Sequence, residues 1–159
     1  MSLDVKIIET NDGGDAVLKG RDLEAAFGWA NMVYLSMFGG NLEQNTPTER
    51  VAGSQEFDWW GNNLFFNEEP TRQFNSLTER RLMNVPLNSR GRVSIEQAIK
   101  EDLSFISQLA DVDISTAIQG PDRLRIEIVI REFESGTSDE LSFLWDGVEA
   151  SLTVTPTDN

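Results

Sequence analysis

Carboxylates are the one abundant class of side chain in this sequence that could carry out acid–base or metal chemistry. The 159 residues include 27 Asp and Glu, no His and no Cys. Without His the usual proton carrier near neutral pH is missing. Without His and Cys, neither Ser–His nor Cys–His nucleophilic catalysis nor the usual zinc site can be built. No GxxxxGK[ST] or GxGxxG phosphate loop occurs. A hydrolase or magnesium site made of carboxylates alone stays formally open.

Two groups of acidic residues invite a catalytic or metal interpretation. Glu68 and Glu69 are the residue types that hydrolyse glycosides, but adjacent residues of a strand point to opposite faces and would not flank one bond. A solvated charge run is the expectation there. Asp12 and Asp15 have the composition of a calcium loop without its spacing, so a turn is expected. The sequence predicts no catalytic residue, no cofactor and no metal, and therefore a protein that is not an enzyme.

The densest group of side chains suited to binding is aromatic. Residues 57–66 read FDWWGNNLFF and contain two of the four Trp and three of the nine Phe. One interpretation is a loop whose rings seal the gap between helix and sheet. The other is a patch that faces a partner protein. For the second interpretation the candidate interface residues are Asp58, Trp59, Trp60, Gly61 and Asn62.

The net charge narrows the range of partners. At a formal charge of −14, binding of nucleic acid by a basic surface or docking on an anionic membrane is not expected. No stretch approaches the roughly 20 apolar residues of a membrane span. The first residues, MSLDVKII, lack the basic start and apolar block of a signal peptide. The absence of Cys fits a reducing interior.

The elements that must position these residues are centred on residues 91–132. The spacing predicts a helix from Ser94 to Ala110, with Ser94 as N-cap and Gln97 completing a capping box. Two alternating strands follow, at 112–116 and 124–130, joined by a turn at 119–122. The apolar face of the helix comprises Ile95, Ala98, Ile99, Leu103, Ile106, Leu109 and Ala110.

The flanking segments complete the predicted fold. An N-terminal hairpin is expected from strands at 4–9 and 15–18. A second main helix is expected from Asp22 to Phe38, with Gly28 inside it marking close packing and Gly39 and Gly40 ending it. A shorter helix should follow a capping box at 76–79, ending near Met83. A C-terminal hairpin is expected from 141–145 and 148–154, with residues 146–147 as a two-residue turn.

Together these elements predict an α+β fold, in which an antiparallel sheet carries two main amphipathic helices packed on one face and charged residues on the other. One domain over residues 1–159 is expected from the length. Residues 1–3 are set aside, since they could derive in part from an expression vector. Residues 156–159 are expected to form a flexible tail.

The aromatic segment also carries a family resemblance. Asp58-Trp59-Trp60-Gly61-Asn62 resembles a GWWGD segment, and Leu35-Ser36-Met37-Phe38 resembles an "sLF" helix end. Residues 95–114 and 124–130 resemble the helix, short strand and long strand of the same family. In these features the chain resembles the baseplate wedge proteins of contractile-tailed, Mu-like phages and prophages. That family is distantly similar to the T4-type wedge protein once suspected of lysozyme activity.

The resemblance has departures that limit what it implies. A GS-x-LW run of the family is replaced by residues 74–77 without Trp, and the Glu-Pro-Arg of the T4-type branch is replaced by Asp111-Val112-Asp113. A partner contact made by that tripeptide is therefore not carried over. The C-terminal hairpin has no clear counterpart in the family.

What the resemblance implies is a non-catalytic structural subunit of a contractile tail baseplate, assembled in the bacterial host cytoplasm. Its partners would be other baseplate, tube or sheath subunits, or further copies of itself within a ring. Two alternatives stay open. One is a carboxylate-based peptidoglycan hydrolase of the tail. The other is a small regulatory module that binds a host protein through the aromatic segment and the acidic surface.

Overall fold

The structure is a computed structural model that describes residues 3–10, 13–40, 64–148 and 151–156. The strands are β1 (Leu3–Val5), β2 (Ile7–Thr10), β3 (Gly13–Ala16), β4 (Leu18–Lys19), β5 (Asp22–Leu23), β6 (Ala25–Phe27), β7 (Ala110–Gly120), β8 (Arg123–Glu132), β9 (Ser138–Asp146) and β10 (Ser151–Pro156). The helices are α1 (Ala30–Phe38), α2 (Leu77–Asn84) and α3 (Ser89–Asp102), with short 3-10 helices at Pro70–Arg72 and Ser104–Gln108.

An antiparallel sheet in the order β10-β9-β8-β7 forms the centre of the fold. Strand β8 alternates between buried and exposed residues, as its sequence predicts. Four side chains of β8 are completely buried: Leu124, Ile126, Ile128 and Ile130. The residues between them point to the opposite face, because successive strand residues alternate sides. The sheet therefore has one apolar face and one open, charged face.

Helices α1 and α3 cover the apolar face, which confirms the predicted α+β class. The buried residues of α3 include Ile95, Ala98 and Ile99, and the core continues through Leu103 and Ile106. Helix α1 adds three buried side chains, Val33, Met37 and Phe38. The ring of Phe38 lies 6.1 Å from the ring of Phe143 in β9, centroid to centroid. Burial of these apolar surfaces supplies the main stabilisation of the fold.

The predicted start and end of the central helix were wrong. Helix α3 begins five residues before Ser94, because the side chain of Asn88 accepts hydrogen bonds from the backbone N–H groups of Arg90 and Gly91 at 3.0 and 2.9 Å. Asn is as effective an N-cap as Ser. The α-helix ends at Asp102 and a 3-10 helix leads into β7. Consequently Leu109 leaves the predicted apolar stripe and is 55% exposed.

The predicted helix over 22–38 was correct only in its second half. Residues 22–23 and 25–27 are strands that pair with β4 and β1. The backbone of Gly28 has φ +128°, a conformation that a helix cannot contain. Helix α1 therefore starts after Gly28. The glycine does mark close packing, since a Cβ there would lie 2.9 Å from an oxygen of Asp139.

The N-terminal hairpin is confirmed for the β2–β3 pair, in which Ile7 lies opposite Ala16. The predicted bounds of its strands were wrong, because residues 3–5 pair with β6 and Leu18 pairs with Leu23. The predicted turn around 11–14 falls partly outside the described residues. The short helix after Ser76 is also confirmed as α2. However, the hydroxyl of Ser76 accepts a hydrogen bond from the N–H of Gly39 at 2.9 Å instead of capping α2.

The two-residue turn predicted for the C-terminal hairpin was wrong. Strand β10 begins with Ser151 opposite Asp146, so residues 147–150 connect the strands. Gly147 donates its N–H to the carbonyl of Asp122 at 2.7 Å, and Asp146 accepts from the N–H of Val148 at 3.0 Å. The bond to Asp122 ties Gly147 to the turn between β7 and β8. Pro156, placed in the predicted tail, belongs to β10, and residues 157–159 lie outside the description.

Candidate interaction surface

The candidate interface predicted at Asp58, Trp59, Trp60, Gly61 and Asn62 lies outside the described residues and stays a prediction. The last three residues of the aromatic segment are described and form a short helical stretch. Its first two side chains, Leu64 and Phe65, are 67% and 61% exposed. The guanidinium of Arg72 lies 5.1 Å from the ring centroid of Phe66, a cation–π distance.

The carboxylates considered for hydrolysis are exposed, as expected for a solvated charge run. Glu68 and Glu69 both face solvent, and Glu69 forms an ion pair with Arg72 at 3.1 Å. Asp12 lies outside the described residues. Within the described ranges, no group of three or more acidic residues is placed to hold a metal ion. No helix in the same ranges is both long and apolar enough to cross a membrane.

Ion pairs link neighbouring strands across the open face of the sheet. Arg131 of β8 contacts Asp113 at 2.7 Å and Asp111 at 3.6 Å, both on β7. The hydrogen bond from Arg131 to Asp113 raises the pKa of the guanidinium above its usual value. Arg123 pairs with Asp146 of β9 at 2.8 Å in the same way. Exposed pairs of this kind order the surface and add little stability.

One end of this face combines exposed apolar side chains with carboxylates. The backbone N–H of Phe133 donates to the carbonyl of Leu109 at 3.1 Å, which extends the β7–β8 pairing by one step beyond Ala110 and Glu132. Phe133 is 62% exposed, Leu109 55% and Phe105 44%. These three residues form a surface that we call the acidic corner, together with Asp111, Asp113, Arg131, Glu134 and Glu140. It is the strongest candidate for a binding surface among the described residues.

Strand β7 is the outer strand of the sheet beside the acidic corner. Along an edge strand, the backbone N–H and C=O groups of one residue bond the neighbouring strand and those of the next residue point away from it. Because the Leu109 carbonyl bonds towards β8, the carbonyl of Thr116 points outwards. Arg92 of α3 donates to this carbonyl at 3.3 Å. The side chain of Arg92 thus occupies one hydrogen-bonding position on the free edge of the sheet.

Glu96 holds Arg92 in place at the strand edge. Its carboxylate contacts Arg92 at 3.2 Å and Lys100 at 3.0 Å, and it accepts from the Thr116 hydroxyl at 3.1 Å. The hydrogen bond from Lys100 lowers the pKa of Glu96, and Thr116 and Arg92 lower it further by smaller amounts, although burial acts in the opposite direction. Glu96 is therefore ionised at neutral pH and serves as a structural anion.

Two further carboxylates bind the first backbone N–H groups of helices. Asp102 accepts hydrogen bonds from the N–H groups of Leu77 and Thr78 at the start of α2. Asp139 accepts from the N–H of Trp29 at 3.3 Å at the start of α1. Anions are favoured at helix N-termini because the first N–H groups have no partner within the helix. Burial raises the pKa of Asp102.

Sequence reasoning missed the acidic corner because Leu109 continued the three-and-four spacing of the helix. A signal was present nevertheless. Phe133 stands directly after the strongest strand, between Glu132 and Glu134. A large apolar residue flanked by two carboxylates at a strand end is a poor core residue and a good surface contact.

Comparison with known proteins adds no relative. No family model matches the chain, and neither the curated proteins nor the solved structures contain a match.

Proposed function

We propose that this chain is a non-catalytic assembly subunit that acts through contacts with other proteins, in the baseplate of a contractile phage tail. The observation that carries the assembly role is the acidic corner. Leu109 and Phe133 are exposed there as cross-strand neighbours at one end of the sheet, and Phe105 is exposed in the 3-10 segment that precedes β7. The carboxylates of Asp111 and Asp113 follow Leu109 on the same face of β7. Contiguous exposed apolar groups with a polar rim are typical of protein contact sites.

The support for a tail baseplate comes from the sequence. The Trp59-Trp60-Gly61 motif and the order of helix, short strand and long strand resemble the Mu-like wedge proteins. The order of a helix and two strands is present in α3, β7 and β8, but β7, with 11 residues, is not the short strand of that family. A place in the virion, with assembly in the host cytoplasm and baseplate, tube or sheath subunits as neighbours, follows from this proposal.

The peptidoglycan hydrolase receives no support from the described carboxylates. Such an enzyme needs two acidic residues on either side of a bound sugar, at one of two characteristic separations. Glu68 and Glu69 are exposed neighbours, and Glu69 is engaged by Arg72. A cell-wall cleavage assay on the unmodified protein tests this alternative. Activity that disappears on substitution of Asp58, Glu68 or Glu69 would establish it.

The experiment that tests the proposed function is an affinity pull-down of the tagged chain from cells that are producing tail particles, analysed by mass spectrometry. Enrichment of wedge, tube or sheath subunits over an untagged control is the expected result. Recovery of a single host protein without any tail component would overturn the baseplate role and favour the regulatory module.

A further inference from the structure

We propose that the acidic corner binds a basic segment of a partner protein, in which Lys or Arg side chains surround one or two apolar anchors. This inference deepens the proposed function and rests on its claim that the chain acts by docking to other proteins. It names the chemistry of the partner and the surface that receives it. It does not depend on which particle the partner belongs to.

The apolar part of the surface is built by backbone pairing. The hydrogen bond between Phe133 and Leu109 makes the two residues cross-strand neighbours, and side chains of such a pair lie about 5 Å apart at their Cβ atoms. Phe105 precedes Leu109 by four residues in the 3-10 segment that leads into β7. All three side chains are more than two-fifths exposed although large aliphatic and aromatic side chains are usually buried.

The charged part of the surface is one-sided. Its acidic residues are Asp111, Asp113, Glu134 and Glu140, and its single basic residue is Arg131. The guanidinium of Arg131 already contacts Asp111 and Asp113, so it cannot neutralise the remaining acids. The side chains of Asp111 and Asp113 are still 66% and 67% exposed. The apolar side chains are therefore approached through a negative potential, which favours a positively charged partner.

Charge also decides between the possible occupants. A symmetric contact between two copies would place two acidic corners against each other, which like-charge repulsion opposes. Nucleic acid and anionic lipid are repelled by the same carboxylates and by the net charge of −14. A basic protein segment satisfies both parts of the surface, since its cations meet the carboxylates and its apolar anchors cover Leu109 and Phe133.

The test uses the full isotope-labelled chain and three short synthetic peptides as probes. The first alternates Leu and Lys, the second replaces Lys with Glu, and the third keeps Lys but replaces Leu with Ser. NMR chemical shifts of the backbone amides report where each peptide binds. We expect the Leu–Lys peptide to shift resonances in residues 105–113 and 131–134, and the other two peptides to bind about tenfold more weakly. Its affinity should fall severalfold as salt is raised.

Matched variants distinguish binding of the peptide at the acidic corner from non-specific binding to an acidic protein. The double variant Leu109→Ser, Phe133→Ser should bind the Leu–Lys peptide about tenfold more weakly. The control Val93→Ser, at a residue of α3 that is 57% exposed, should bind as the unmodified chain does. The contribution of charge is tested with the double variant Asp111→Asn, Glu134→Gln, which should bind the Leu–Lys peptide more weakly. The control double variant Glu68→Gln, Asp122→Asn should bind as the unmodified chain does. Unchanged amide spectra elsewhere show that each variant is folded.

The inference is overturned if shifts spread over the whole surface, if the Ser–Lys peptide binds equally well, or if the control variants lose as much affinity as the corner variants. Its failure is separable from that of the proposed function. Tail subunits recovered in the pull-down without peptide binding at the corner would leave the baseplate role and remove this surface. Peptide binding at the acidic corner, with no tail subunit recovered in the pull-down, would support this surface and overturn the baseplate role.

Discussion

The carboxylate of Asp102 accepts a hydrogen bond 2.7 Å long from the backbone N–H of Thr78. Its other oxygen accepts from the N–H of Leu77 at 3.0 Å. Asp102 is the last residue of α3 and Leu77 the first of α2, so the end of one helix caps the beginning of another. The residue expected to cap α2, Ser76, instead binds the N–H of Gly39. One partly buried carboxylate thus joins two helices of the core layer.

Replacing Asp102 should weaken the fold through loss of this cap. We expect Asp102→Ala to lower the free energy of unfolding by about 1–2 kcal/mol, the usual cost of removing an N-cap. Asp102→Asn should cost less, because the amide oxygen can still accept one of the two hydrogen bonds. Urea denaturation measures both changes. Asp122→Asn, at an exposed turn, is the control, and an equal effect there would contradict the capping role.

Asp102 should also make stability depend on pH. Burial, the largest influence, raises its pKa above the usual 3.8, although the hydrogen bonds from α2 oppose this. An acid whose pKa is higher in the folded state contributes most stability below its unfolded pKa and loses that contribution as pH rises through the folded pKa. The unmodified chain should therefore lose stability relative to Asp102→Asn as pH rises from below 3.8 towards neutrality. Urea titrations across that range, with no change or the opposite sign, would refute this.

Gly28 should be intolerant of substitution. Its φ of +128° is a conformation that side chains rarely adopt, and an added Cβ would lie 2.9 Å from the oxygen of Asp139 that binds Trp29. We expect Gly28→Ala to destabilise the chain by about 1–3 kcal/mol. Gly136→Ala is the matched control, since its φ is also positive but a Cβ there meets nothing within 4 Å. Thermal unfolding should show the larger loss at Gly28.

The centre of the sheet should be the most sensitive part of the core. Ile128 of β8 has no exposed surface, and truncation to Ala at such a site costs about 2–5 kcal/mol. Val93→Ala on the exposed side of α3 should change the unfolding free energy by less than about 0.5 kcal/mol. Chemical denaturation of both variants tests the assignment of faces. Similar losses at the two positions would contradict it.

The aromatic motif is tested by Trp60→Ala. We expect the variant to remain folded by circular dichroism and to fail in assembly of tail baseplates, because Trp is enriched among residues that dominate protein contacts. Phe74→Ala, at a half-buried aromatic residue next to α2, provides a comparison for a purely structural ring. If Trp60→Ala unfolds the chain, Trp60 belongs to the core and its role as an interface residue is wrong.

The sequence predicted the features that depend on local periodicity. The alternation in β8 and the three-and-four spacing around Ile95 and Ile99 identified the buried faces correctly. The cap at Asn88 was missed because Ser94 offered a second, equally good local signal. Asp102 and Asp139 could not have been identified as caps, since the helices that they cap lie 24 and 110 positions away in the chain.

The binding surfaces divide in a similar way. Residues Asp58 to Asn62 were singled out by composition alone, and their role is still a prediction. The acidic corner depends on where α3 ends. Only once the helix stops at Asp102 does Leu109 turn outwards beside Phe133. A helix end fixed by tertiary packing is beyond what spacing can reveal.

The contact between Arg92 and the outer strand has a consequence for behaviour at high concentration. Strand β7 is 11 residues long, and an uncovered edge of that length is a template on which fibrils can grow. The guanidinium of Arg92 donates a hydrogen bond to the outward carbonyl of Thr116 near the middle of this edge, and its ion pair with Glu96 holds it there. An incoming strand would have to displace that charge before a continuous ladder could form. The arrangement should therefore keep crowded, newly made chains from polymerising into amyloid-like aggregates.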